Sequence, residues 1–275
     1  MEEIYQVKHI TEPVNWETDV PGSKSITNRA LLLAALCDGP VQLNGVLFSD
    51  DSRHFLSSLQ SLGYEVQIDE PKAAVRVNGN GGVLPAHSGE IHVGSAGTAA
   101  RFLTAMLGVS EGTFVINASE QMQKRPMQPL FEALISLGAS VEWLGETWHL
   151  PVRITGAGAQ IRNMEQEAVL NLDISSSTQF LSAFLLIAPM FPHGLKIHIT
   201  SEKKDGSYIR ITRKMMQEFG VEAAFDSCNY TVAPSNGYQK SQYQIEPDVS
   251  GACYFYAAAA MTGGTAKVHH VHWDS

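Results

Sequence analysis

Cysteine is scarce in this chain. Cys37, Cys228 and Cys253 are scattered over 275 residues with no C-x-x-C pair. That excludes a disulfide framework and reads as reduced thiols in a cytosolic protein. Charged residues are also few, at 17 % against 44 % hydrophobic, where soluble domains carry roughly 25 % charge. A disordered chain would show the opposite balance. Basic residues are the minority sign, 19 against 28 acidic, for a net charge of −9. This argues against a nucleic-acid binder, and any anion bound here must be held by local cations against the global charge. Long apolar runs are missing: residues 180–190 and 252–261 are about half of a membrane span. The opening Met1-Glu2-Glu3-Ile4-Tyr5 lacks the basic start and apolar stretch of a signal peptide. The expectation is a soluble, cytoplasmic protein that engages neither membrane nor nucleic acid.

Several chemistries lack their pattern as well. No Ser/His/Asp order or nucleophile elbow is visible, and Pro21-Gly22-Ser23-Lys24-Ser25 lacks the spacing of a nucleotide P-loop. His270 and His272 would share one face of a strand, but no acidic or cysteine ligands accompany them, so no metal is expected. Asp50-Asp51 fits a helix start better than a metal pair. Lys203-Lys204 with Arg210, Arg213 and Lys214 form the most basic patch, read as a solvated face, with Lys203 and Lys204 lining a cleft as the alternative.

The length suggests about two domains at ~150 residues each, and the order of elements repeats. The first unit runs from Gly22-Ser23-Lys24-Ser25 through an apolar segment 30–36, a Gly39-Pro40 turn, a strand 41–48, a helix 51–62 and, after Gly63, a strand 64–68. The second has Gly94-Ser95-Ala96-Gly97-Thr98, apolar 102–107, a turn at Gly112, strand 113–118, helix 126–137, Gly138 and strand 139–144. The third has Ser175–Thr178, apolar 180–188, a turn at Gly194, strand 195–200, helix 208–219, Gly220 and strand 221–225. A fourth begins at Asp248-Val249-Ser250-Gly251, with helix 252–261, a Gly263-Gly264 turn and strand 265–271. It corresponds to about half of the unit. The expectation is that the natural protein is longer or that a partner completes this edge, a short natural variant being the plain alternative. Strands alternating with helices indicate α/β units. The glycines that end the second helices suit left-handed C-caps, and Ser/Thr before the apolar helices suit N-caps. The polar run 237–244 is read as a crossover between domains.

Three units thus set short polar residues at the start of an apolar helix. Such a start offers unpaired N–H groups and partial positive charge to an anion. Lys24 adds a point charge, and Arg29 can grip a carboxylate or phosphate bidentately. Ser95, Gly97 and Thr98 come with Arg101, and Ser175–Thr178 with Gln179. Lys124-Arg125-Pro126 places Arg125 at another helix start, because proline suits the first helical position. If the units surround a pseudo-threefold axis, the starts point to one rim, suited to a small ligand with more than one anionic group. The plain reading of each cluster alone is a helix cap or a tight turn.

Residues 20–36, Val-Pro-Gly-Ser-Lys-Ser-Ile-Thr-Asn-Arg followed by an alanine- and leucine-rich run, closely resemble the first signature of the 5-enolpyruvylshikimate-3-phosphate synthase (3-phosphoshikimate 1-carboxyvinyltransferase) family. Residues 94–101, Gly-Ser-Ala-Gly-Thr-Ala-Ala-Arg, resemble its second signature, where Ser95 replaces the usual Asn. Phe102 stands where the family often has Pro, and Asp205-Gly206-Ser207 replaces a more usual Ser-containing loop. Lys124–Met127, Ser177–Phe180, Asp205–Tyr208 and residues 248–255 fall in order at the other family sites. The related UDP-N-acetylglucosamine carboxyvinyltransferases open on a different motif.

The resemblance implies an inside-out α/β barrel fold of repeated βαβαββ-type units, enolpyruvyl transferase-like. One complete three-unit domain would span 21–240, and 1–20 with 245–275 would form part of a second. The implied substrates are shikimate 3-phosphate and phosphoenolpyruvate, with no cofactor and no metal. Lys24 would touch both and is the catalytic candidate. Ser25, Arg29, Ser177, Thr178, Gln179 and Tyr208 would hold shikimate 3-phosphate; Gly97, Arg125 and Gln179 would hold phosphoenolpyruvate. The family's acid/base carboxylates have no counterpart among these residues, so the chain alone is expected to bind weakly and turn over little. A non-catalytic phospho-ligand module on the same scaffold is the alternative. The complete protein would be a monomer, and the unfinished fourth unit could promote association through exposed apolar surface.

Overall fold

The computed structural model describes residues 9–272. In chain order its elements are β1 (Asn15–Thr18), α1 (Lys24–Leu36), β2 (Asp38–Asn44), α2 (Asp50–Ser61), β3 (Glu65–Asp69), β4 (Ala74–Asn80), β5 (Ser88–His92), α3 (Gly97–Val109), β6 (Thr113–Asn117), α4 (Glu120–Gln123), α5 (Gln128–Ser136) and β7 (Ser140–Trp143). They continue with β8 (Val152–Thr155), α6 (Gly158–Arg162), β9 (Ala168–Leu172), α7 (Gln179–Ile187), β10 (Leu195–Ile199), α8 (Ser207–Glu218), β11 (Ala224–Asp226), β12 (Asn229–Val232), β13 (Gln242–Gln244), α9 (Val249–Thr262) and β14 (Thr265–Val268).

Three helices are apolar on every side, and a helix of that kind has to be surrounded. Residues 26–36 of α1 are all buried, as are 98–109 of α3 and 180–187 of α7. These three pack on one another, with α2, α5 and α8 packed around them. The outer helices are amphipathic; α8 buries Ile209, Thr212, Met215 and Met216 at helical spacing, with Ile211 and Arg213 half-buried and the rest exposed. Three four-stranded sheets lie outside the helices, in the orders β13-β2-β4-β3, β5-β6-β8-β7 and β9-β10-β12-β11. In each, the first two strands are parallel and the remaining pairs antiparallel. The result is the expected inside-out α/β arrangement of βαβαββ units, with helices as core and sheets as wall.

The structure also adds and corrects. The second and third units open on strands, β5 and β9, that the apolar pattern does not announce. The first unit takes its opening strand from β13, which aligns Gln242 with Gln42 in the parallel register. The run 237–244 is therefore more than a crossover: it buries Tyr238 and Tyr243 and ends as wall. Sheet pairing carries the three-unit body to Gln244, past the bound of 240. The strand expected over 41–48 stops at Asn44 because Gly45 turns the chain at φ +72°. The helix expected over 126–137 starts at Gln128. Pro129 as the fourth helical residue would forfeit the first intrahelical bond, so it sits in the first turn instead. Gly63, Gly138 and Gly220 follow the last helical turns at φ +88°, +104° and +90°, the left-handed endings the sequence announces.

The chain crosses beyond this body at one place. Ser23 N–H donates to Glu246 O at 2.8 Å and Asp248 N–H to Pro21 O at 2.8 Å. Past it, β1 and β14 form a separate two-stranded parallel sheet with α9 packed on β14. Residues 1–8 and 273–275 of the expected second part lie outside the described residues. The strand expected over 265–271 ends at Val268, and His270 takes φ +60°, so His270 and His272 do not share a strand face. Among the described residues no helix is long and apolar enough to cross a membrane.

Candidate functional site

The starts of α1, α3 and α7 are open. Ser23 and Thr178 occupy the N-cap positions of α1 and α7 without a side-chain cap bond, and α3 follows Ala96. Ser23 and Thr178 therefore do not act as caps, contrary to the sequence expectation, and at α7 it is Ser177 that takes the first N–H. By contrast, α2 has a capping box in which Ser49 accepts from Ser52 N–H. Uncapped first turns keep N–H groups that face outward.

Lys24 is the first residue of α1, half-exposed, with Nζ 3.3 Å from Asp51 Oδ2. Such a pair is worth little by itself and can open when another anion arrives. Lys24, Ser25, Ser207 and Tyr208 line a cavity of about 410 Å³ together with Tyr243, Glu246 and Ser250. Lys214 lies on its wall and pairs with Glu246 at 3.6 Å. Arg29 lies under this cavity, 1 % exposed. Its Nε donates to Thr212 Oγ1 at 2.8 Å, Nη1 to Ser25 O at 2.9 Å, and Nη2 to Ser182 Oγ at 3.3 Å and Tyr208 O at 3.4 Å. The guanidinium also faces the rings of Phe102 and Tyr208. Burial pulls its pKa down to about 10, so it stays charged at neutral pH. In this arrangement Arg29 ties the first turns of α1 and α8 together from below.

The second cluster gathers at Gly97, the first residue of α3. A methyl group there would meet Arg101 Nη1 at 2.9 Å, Arg125 Nη1 at 3.2 Å and Gln179 Oε1 at 3.5 Å. Glycine leaves room for the two guanidinium groups, which a larger residue would push aside. Arg101 is buried, and burial first and Arg125 second pull its pKa down to about 10. Arg125 is exposed and reaches Gly97 from the turn between α4 and α5, not from a helix start as the sequence suggested. Ser177 Oγ accepts from Gln179 N–H at 3.2 Å and so orients the start of α7. Thr178 and the Lys203 ammonium group both lie near Gly206. Beneath both clusters, Asn28 Nδ2 donates to Thr98 Oγ1 at 2.5 Å, a buried tie between α1 and α3.

The predicted residues thus fall into two neighbouring groups on the rim made by the inner helix starts. Lys24, Ser25, Arg29 and Tyr208 form one; Gly97, Arg125 and Gln179 form the other, with Ser177 and Thr178 alongside. Sequence reading missed Asp51 as the partner of Lys24, although it did place Asp51 in a first helical turn. It also missed His54, whose ring lies over Gly94, where a Cβ would come within 2.2 Å of it. No local signal marks that contact, which joins α2 to the β5–α3 loop. Lys204 is not a free cation of the rim, because its Nζ donates to Ile199 O at 2.7 Å.

A family model described as EPSP synthase (3-phosphoshikimate 1-carboxyvinyltransferase) matches residues 8–275. Proteins with the latter name from Trichormus variabilis and Vibrio vulnificus are 37 % and 40 % identical over 266 and 258 residues. These matches cover 95 % and 93 % of this chain, but 60 % and 59 % of those proteins. The chain thus spans about 60 % of the length of the curated relatives it matches. A structure of EPSP synthase from Acinetobacter baumannii superposes with a TM-score of 0.77 at 24 % identity, covering 94 % of this chain and 56 % of that one; it shows a common fold. With the family model matching almost end to end and the relatives' identity lying well above 30 %, the chain belongs to the EPSP synthase (3-phosphoshikimate 1-carboxyvinyltransferase) family.

Proposed function

We propose that this chain carries the anion-holding half of a carboxyvinyl-transfer site whose substrates are shikimate 3-phosphate and phosphoenolpyruvate. The supporting observation is the meeting of Arg101, Arg125 and Gln179 at Gly97 beside the open start of α1, which gives positive charge at one rim of a chain whose net charge is −9.

In this reading Lys24 contacts both substrates, exchanging Asp51 for a substrate anion. Ser25, Tyr208, Ser177, Thr178 and Gln179 hold shikimate 3-phosphate, with Arg29 supporting Ser25 and Tyr208 through their carbonyls and contacting the ligand itself if one of its protein acceptors gives way. Gly97, Arg125 and Gln179 hold phosphoenolpyruvate. The reaction protonates the enol carbon while the 5-hydroxyl of shikimate 3-phosphate attacks. The resulting tetrahedral adduct then loses phosphate and a proton to leave the enolpyruvyl ether. The residues described here bind and orient the two anions; none is assigned to the proton transfers, which need a positioned acid and base.

The test is calorimetric titration of the purified chain with shikimate 3-phosphate, then with phosphoenolpyruvate. Saturable binding of the first, at least about tenfold weaker in Lys24→Met, is the expected result. Failure of the folded chain to bind it overturns the reading. Binding with no phosphate release fits a holding role alone. Release above about 1 per second would place acid/base groups among these residues as well.

A further inference from the structure

We propose that Arg101 is the charge-selecting residue of the cradle at Gly97, making it take a dianionic oxyanion such as a phosphate ester in preference to a monoanion of the same shape. The inference deepens the anion-binding reading above and rests on it.

Arg101 is 6 % exposed, and its Nη1 donates to Gly97 O at 3.1 Å and contacts Met122 Sδ at 3.7 Å. Its Nε is buried without a hydrogen-bond partner. The remaining face of the guanidinium lies over Phe180, 5.7 Å from the ring centroid. Among the described residues no carboxylate pairs with Arg101 or with Arg125, and the charged group that acts on Arg101 is Arg125, of the same sign. A buried cation ordinarily requires a paired counter-charge. Here two cations converge on one point, Nη1 of each lying 2.9 and 3.2 Å from the Cβ position of Gly97. The open start of α3 adds further positive potential. A monoanion neutralises one of the two guanidinium charges, whereas a dianion neutralises both. Arg125 is exposed and free to touch the ligand. Arg101, buried and bonded to the Gly97 carbonyl, acts through its field and through its hold on that carbonyl. That makes it a positioning residue whose loss should change charge preference more than general affinity.

The experiment titrates the folded chain at pH 8 with inorganic phosphate, mostly dianionic there, and with methanesulfonate, a monoanion of similar size. The parent, Arg101→Gln, Arg101→Lys and Arg125→Gln are compared, with circular dichroism confirming the fold of each. The parent should favour phosphate by about tenfold or more, given like charges a few ångströms from the ligand in a partly desolvated site. Arg101→Gln should erase most of that ratio while changing methanesulfonate affinity by less than about threefold, and Arg101→Lys should keep most of it. Arg125→Gln, altered on an exposed side chain, should also collapse the ratio and serves if Arg101→Gln does not fold. An unchanged ratio in a folded Arg101→Gln, or in Arg125→Gln if the former does not fold, overturns the proposal, as does a parent that binds no phosphate. Titration with shikimate 3-phosphate is scored separately. Binding of that ligand together with an unchanged phosphate ratio removes the role of Arg101 and leaves the functional reading standing.

Discussion

Helices α1 and α9 are built from similar residues and meet opposite surroundings. Helix α9 is an uninterrupted run of small and apolar side chains with no charged residue, and α1 is such a run from Ala30 to Leu36, after Lys24, Asn28 and Arg29 in its first turns. In α1 every residue from 26 to 36 is buried, whereas in α9 only Ala252 and Ala259 are. Tyr254 is 81 % and Met261 88 % exposed, and the main aromatic anchor of α9 is the edge contact of Phe255 with Trp16 at 5.9 Å. The difference lies in the neighbours. Helix α1 is enclosed by α2, α3, α7 and α8, while α9 is covered by β14 on one side. Apolar composition makes a helix fit for burial, and packing decides whether it is buried.

The largest expected effect tests that contrast directly. Phe184→Ala in α7 opens a cavity at the centre of the helix core and should cost about 3–5 kcal/mol, read from urea unfolding. Met261→Ala on the open face of α9 should change stability by less than about 0.5 kcal/mol. Comparable losses would erase the distinction between the two regions. Next comes Arg29→Met. It removes the guanidinium donor from Thr212 Oγ1, Ser25 O, Ser182 Oγ and Tyr208 O in a buried place, leaving Thr212 Oγ1 as the remaining side-chain donor to the last two, and should cost about 2–4 kcal/mol in thermal or denaturant melts. A neutral result would mean that the polar tie between α1 and α8 is dispensable.

The three-unit body was legible because it is repetitive and strongly patterned. The Gly63, Gly138 and Gly220 endings and the apolar runs after Ser25, Thr98 and Thr178 each marked a helix. The opening strands β5 and β9 were not legible: Ser88–His92 carries no apolar alternation, and in β9 the apolar Val169 is exposed between buried Ala168 and Leu170. The pairing of β13 with β2 is non-local and polar in sequence, so no window shows it. At the site, residue types and spacing announced Lys24, Gly97 and Arg125. The role of Arg29 depends on Ser182 and Thr212, which lie on other helices, so sequence offered a cation where the structure shows a tie. Ser23 and Thr178 are the right residue types for capping α1 and α7, and geometry left both without a cap bond.

Two smaller effects sharpen the comparison. Lys24→Met removes a half-exposed pair with Asp51 and should shift stability by less than about 1 kcal/mol, in contrast to Arg29→Met; differential scanning fluorimetry distinguishes them. The smallest effect concerns the outlying strand pair. Hydrogen bonds from Lys267 and then His269 hold the Glu17 carboxyl down at about 2 from an ordinary 4.5, and Glu17 and Asp19 raise the His269 pKa above 6.5. The Glu17 contribution is present above pH 4.5 and is lost as pH falls toward 2. The His269 contribution is full below pH 6.5 and is lost as pH rises through its raised pKa. Hydrogen exchange of Thr265–Val268 should therefore be slowest between about pH 4.5 and 6.5 after correction for intrinsic rates, with no matching trend in α1. A flat profile would remove these groups from the account.

The first sheet has a consequence for the order of assembly. Strand β2 finds its parallel neighbour in residues 242–244, so the unit that leaves the ribosome earliest is among the last to be completed. Until that segment arrives, β2 presents a bare edge to other chains, and the contact that closes the ring is among the most distant along the sequence. High contact order slows folding. The nascent body therefore passes through a period in which its helices can gather while its wall still has a gap at β2.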